Sequence, residues 1–80
     1  MSTTSGTWRA SNGRELGRAL ARVRQQAGLT QEAMATRVGI ERTYLTRMET
    51  GLATEQLQRV FAILREVGYE LAIVARDNIG

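Results

Sequence analysis

The chain has no cysteine and no histidine. Disulfides, thiolate chemistry, imidazole metal sites and a histidine general base are therefore all excluded. No stretch approaches the ~20 apolar residues of a membrane span. No apolar run of signal-peptide length follows Met1, so a cytoplasmic location is expected. Lysine is missing too: all eleven basic residues are arginine, and against eight acidic residues they leave a net charge of +3. That makes a mildly basic surface, not a polycation. No phosphate-cradling loop, paired-carboxylate cleft or metal-ligand cluster can be drawn. The carboxylates are scattered over caps and solvent faces, and Gly28, Gly39, Gly51 and Gly68 mark helix ends. We expect no enzyme, no cofactor and no metal.

What is present is enough for one domain of eighty residues. A chain of this size buries only about 60–65% of its unfolded surface, so dimerisation is the expected further source of stability. The first ten residues hold five Ser or Thr and show no apolar period. They read as a disordered tail in which Trp8 is a weakly packed anchor or is exposed. The expected organisation is a tail over 1–10, a helical domain over 11–68, a strand over 69–76 and a short polar end over 77–80.

A first helix is predicted from about Gly13 to Ala27. Asn12 is the N-cap, Glu15 the third position of a capping box, and Gly28 the left-handed stop. Leu16, Leu20, Val23 and Ala27 form its apolar stripe. Arg14, Arg18 and Arg22 repeat at i, i+4 and i+8 on another face, where like charges cost a few tenths of a kcal/mol per pair. That face is either solvated or meets phosphate or an acidic protein partner. A last helix fits Thr54 to Val67, capped by Thr54. Leu57, Val60, Phe61 and Leu64 make its core face, which Ile63 and Val67 widen to roughly 160°, beyond the ~100° of a helix packed on one side. That excess is either intramolecular core or a subunit interface, and we favour the interface.

Between them, Leu29 to Gly51 reads as two short helices joined by a tight turn at Gly39. Thr30 caps the first, where Ala33, Met34 and Val38 keep helical spacing. In the second, Tyr44, Leu45 and Met48 fall on one side. Arg42, Thr43, Thr46 and Arg47 spread over roughly 140° of the other at about 100° per residue. Two guanidinium groups and two hydroxyls with no carboxylate suit the reading of base edges beside a phosphate backbone.

This spacing is that of a helix-turn-helix. The run Gly28-Leu29-Thr30-Gln31, Ala35, Val38-Gly39 and Glu49-Thr50-Gly51 resembles the phage-repressor class, the XRE or Cro/C1 type, over about Leu16 to Val67. One position departs from the pattern: Glu41 opens the second helix where Ser or Thr is usual. Its carboxylate can still cap the helix, but it would sit close to phosphates. The resemblance implies an all-α, lambda-repressor-like domain of four helices. It also implies backbone contacts by Thr30, Gln31 and Thr50, and a structural ion pair between Arg24 and Glu49.

After Gly68, Tyr69, Leu71, Ile73 and Ala75 alternate with Glu70, Ala72, Val74 and Arg76, a period of two. The chain shows no second strand by its pattern, so this one is expected to pair with its copy across a two-fold axis. Ile63, Val67, Tyr69, Leu71, Ile73 and Ala75 then form the interface. Val67-Gly68-Tyr69-Glu70-Leu71 is similar to the ending of HipB-type antitoxins. The expectation is a homodimeric repressor on double-stranded DNA with a palindromic operator, the resemblance adding a kinase-type toxin partner. Two rivals are a stand-alone regulator of the same type and a protein–protein module that keeps the helix-turn-helix only as scaffold.

Overall fold

The computed structural model describes residues 7–51 and 54–76. In chain order it runs β1 (Thr7–Ala10), α1 (Gly13–Gln26), α2 (Gln31–Val38), α3 (Arg42–Glu49), α4 (Glu55–Glu66) and β2 (Leu71–Val74). The predicted caps form. Asn12 Oδ1 accepts from the Glu15 N–H at 2.8 Å, Thr30 Oγ1 from Ala33 at 3.0 Å and Thr54 Oγ1 from Leu57 at 3.2 Å. Each satisfies one of the free donors at a helix start. Glu15 reaches back one residue further than a capping box requires, accepting from the Ser11 N–H. Glu41 occupies the N-cap of α3 with extended backbone but makes no side-chain cap bond, contrary to expectation. The turn between α2 and α3 rests on Gly39 at φ 85°, with the Gly39 and Ile40 N–H groups both donating to the Ala35 carbonyl. Only glycine holds that conformation without strain.

Among the described residues the fully packed apolar side chains are few and mostly small: Ala10, Ala19, Ala35, Leu45 and Phe61. Small side chains let the backbones approach. A Cβ on Gly17 would lie 2.6 Å from the Met48 carbonyl oxygen and 2.7 Å from that of Glu49. The buried line of α1 is therefore not the predicted one: Leu16, Leu20 and Val23 are half-buried and Ala27 is exposed. The reason is that α1 packs on two sides at once. Gly17 meets α3, while Ala19 lies beside Trp8 of β1. Val38 is exposed as well.

The strands overturn an expectation. β1 and β2 pair antiparallel within one chain, Thr7 with Val74, Trp8 with Ile73, Arg9 with Ala72 and Ala10 with Leu71. Residues 7–10 are thus a strand and not part of a disordered tail, and β2 does have a partner in its own chain. The segment Thr-Trp-Arg-Ala does alternate: Thr7 and Arg9 are exposed, Trp8 is half-buried and Ala10 fully buried. Four residues are too few for that period to register in a Ser/Thr-rich stretch. The tails expected at 1–6 and 77–80 lie outside the described residues.

β2 is also shorter than expected. Tyr69 precedes it, and its N–H donates to the Leu64 carbonyl to close α4. Leu71 and Ile73, expected at a subunit interface, are half-buried in the chain's own packing, and Ile73 shares a niche with Trp8 and Val23. Ile63, Val67, Tyr69 and Ala75 are exposed.

Ser11 ties this corner together. Its N–H meets Glu15, its hydroxyl donates to Glu70 at 3.2 Å, and its carbonyl accepts from Arg65 at 3.0 Å. No helix among the described residues is long and apolar enough to cross a membrane.

Candidate nucleic-acid interface

α3 is amphipathic in the predicted sense. Leu45 is buried, with Met48 and Glu49 half-buried beside it, while Arg42, Thr43 and Arg47 are exposed. Tyr44, expected on the core side, is half exposed and borders an apolar groove with Leu16, Leu20 and Leu57. Salt bridges among the described residues involve Arg9, Arg24 and Arg59, so Arg42 and Arg47 keep their guanidinium groups free of carboxylates. These are five-donor forks, suited to bidentate contact with guanine edges or phosphate oxygens.

Behind this face lies a polar network that joins three helices. Glu49, at the end of α3, accepts from Arg24 Nε at 2.7 Å and Nη2 at 3.0 Å, a two-pronged ion pair. Arg24 Nη1 also donates to the Leu29 carbonyl at 2.8 Å, in the turn leading to α2. Gln31 Nε2 donates to Glu49 Oε1 at 2.9 Å, and Gln31 Oε1 lies 2.9 Å from the Thr46 hydroxyl. The pair implied by the resemblance is therefore formed. Its side chains are only 12% and 5% exposed for Arg24 and Glu49, which sets it apart from a surface bridge.

Burial alone would push the Glu49 carboxyl up. The hydrogen bonds from Arg24 and Gln31 and the nearby positive charge outweigh it and hold the group below its ordinary value. The same hydrogen bond, against some desolvation, raises Arg24.

The network changes the standing of two predicted contacts. Gln31, expected at the DNA backbone, has both ends of its amide engaged within the protein. Thr46, expected at a base edge, has its hydroxyl 2.9 Å from Gln31 Oε1 and 3.0 Å from the Arg42 carbonyl; its single proton serves one of them at a time. Thr30 accepts its own cap bond, and the Thr50 hydroxyl donates to the Arg47 carbonyl at 2.8 Å. Arg42, Thr43 and Arg47 thus carry the outward chemistry of α3, with Thr46 and Gln31 holding it to α2. The spacing of Gln31 and Thr46 gives no warning of this bridge, because it depends on how α2 crosses α3.

The Arg14, Arg18 and Arg22 stripe is exposed as expected. The guanidinium of Arg22 lies over the Trp8 ring, 5.5 Å from its centroid, within cation–π range. No sequence signal connects these two residues.

Comparison with known proteins agrees with this geometry. A family model described as a helix-turn-helix domain, of the XRE-like superfamily, matches residues 15–68, more than half of the chain. No curated protein and no solved structure gave a match.

Proposed function

The chain belongs to the helix-turn-helix domain family, and from that premise we propose that it is a sequence-specific DNA-binding transcriptional repressor acting as a homodimer on a palindromic operator. The observation that carries this reading is the outer face of α3, where Arg42, Thr43 and Arg47 stand exposed and unpaired on a helix fixed from behind by Glu49. In the major groove, Arg42 and Arg47 take guanine O6 and N7, and Thr43 takes a thymine methyl or a phosphate. Thr46 adds its contact at the edge of that face. Thr30 and Thr50 flank it at the backbone, where the start of α2 favours an anion, and Gln31 has only its second Nε2 hydrogen left to offer a phosphate.

A second copy is drawn in by apolar surface. Ile63, Val67, Tyr69 and Val74 are each more than 60% exposed and all lie in the last third of the chain, and among the described residues β2 pairs on one edge only. A single chain that leaves so much apolar area in water has reason to associate. Pairing of two β2 edges about a two-fold axis would extend the β1–β2 sheet to four strands and set the distance between the two α3 helices.

The pairing of β2 with β1 satisfies one edge of that strand within the chain and does not by itself separate a HipB-type antitoxin from a stand-alone regulator. The kinase-type toxin is supported only by the likeness of Val67 to Leu71, and co-purification with such a kinase would establish it.

Titration of a fluorescent duplex across a range of salt concentrations tests the proposal. Affinity should fall steeply as salt rises, with a log–log slope of about −0.9 per phosphate neutralised. Flat or absent binding would leave the helix-turn-helix as scaffold for a protein–protein module.

A further inference from the structure

The arginine face of α1 is not absorbed by the DNA-binding reading. Arg14, Arg18 and Arg22 are exposed, and among the described residues none of them meets a carboxylate. They stand one turn apart, about 6 Å at 1.5 Å per residue, so neighbouring members of the stripe repel, and none is neutralised by a direct ion pair among the described residues. Arg18 and Arg22 border a shallow depression of about 480 Å³ whose other walls include Trp8, Arg9 and Gln25, with Glu15 the one acidic residue of α1 among them. Glu49 is the one α3 residue at its edge, and its carboxylate is already taken by Arg24 and Gln31. The outward residues of α3, Arg42, Thr43 and Arg47, do not line it. Arg22 is turned onto Trp8, a residue of β1, and so toward the sheet.

We propose that this face is a docking surface for an acidic helical segment of a partner protein. Three cations at i, i+4 and i+8 match carboxylates repeating at the same interval on an opposed helix. Trp8 supplies the apolar contact beside them. A half-buried Trp beside arginines is the composition enriched at protein interfaces. A DNA backbone offers the same charge, but it gives no use for the indole and would have to reach a surface that the reading side of α3 does not share.

Trp8 is the only tryptophan of the chain, so its emission reports on this surface and no other. The probe is a synthetic helical peptide with glutamates at i, i+4 and i+8, compared with the same peptide carrying glutamine there. Added to the full chain, the glutamate peptide should shift or quench Trp8 emission saturably, and the glutamine peptide should not. Arg18→Ala/Arg22→Ala should weaken that binding by roughly tenfold, and Arg18→Lys/Arg22→Lys should recover part of it. Circular dichroism would establish that both variants are folded.

Affinity of the alanine variant for duplex DNA, and the salt slope of that binding, should stay as in the parent chain. A Trp8 signal that does not respond to the glutamate peptide overturns the proposal. So does a salt slope that drops by about one unit for each arginine removed, which would return the face to phosphate contact. The proposal does not rest on the DNA reading: loss of all duplex binding in the parent chain would sink that reading and leave the peptide arm standing.

Discussion

Replacing Glu49 by Gln keeps the side chain's size and removes only its charge and one acceptor oxygen. Arg24 presents two donors to that carboxylate at 2.7 and 3.0 Å, and Gln31 a third at 2.9 Å. A glutamine offers one oxygen to these three donors and turns an NH2 group toward the remaining ones. Loss of one member of a mostly buried ion pair costs about 3–5 kcal/mol. Arg24 keeps its bond to the Leu29 carbonyl, so the lower end applies, about 3 kcal/mol for removal of the Glu49 carboxylate. In a domain of this size 1 kcal/mol moves Tm by roughly 4–8 °C, which gives a fall of roughly 12–24 °C.

Thermal unfolding followed by far-ultraviolet circular dichroism at neutral pH measures it. Arg24→Met/Glu49→Met should cost less than the two single changes added together, because it leaves no charge behind. A fall of less than about 4 °C for Glu49→Gln, or strict additivity in the double variant, would mean that the network does not hold α3 in place.

Four further outcomes are expected. The depressed Glu49 carboxyl contributes stability that is complete above the ordinary glutamate value, near 4.3, and is lost as pH falls through its lower folded value; in Glu49→Gln that acid-side loss should shrink in a pH series of urea melts. Gly17→Ala gains up to ~1 kcal/mol of helix propensity but drives a methyl to 2.6 Å from the Met48 carbonyl oxygen, so a net loss of about 1–2 kcal/mol should appear in chemical denaturation. Trp8→Ala removes the Arg22 stack and the cover of β1 on α1 and should destabilise by about 1–2 kcal/mol, whereas a disordered tail would give no change. Ile63→Asp/Val67→Asp should sediment as a monomer and bind a full palindrome scarcely better than a half-site, since the gain from linking two modules is lost.

The helical part of this fold was legible because its signals are local. Asn12, Thr30 and Thr54 cap where their side chains allow, and Gly39 turns where only glycine sits easily. Arg42, Thr43 and Arg47 face out because α3 buries Leu45. What stayed hidden is long-range. The β1–β2 pair joins residues more than sixty positions apart, and the cue in β1 is four residues long. A strand partner that far away leaves no local trace, and the half-burial of Leu71 and Ile73 within the chain follows from that pairing and not from the period of β2 itself. The Gln31–Thr46 bridge and the Arg22–Trp8 stack were hidden for the same reason: each depends on the crossing of two elements, which no periodicity encodes.

The central claim is that the outer face of α3 reads base sequence. Selecting bound duplexes from a random pool, then measuring the affinity of Arg42→Ala and Arg47→Ala for the selected site and for its single-base variants, tests it most directly. The account predicts a two-fold-symmetric site. Each substitution should lose ~1–3 kcal/mol of specific binding and relax the preference at one base pair per half-site. A pool that yields no common site, or losses that fall equally on every sequence, would contradict it.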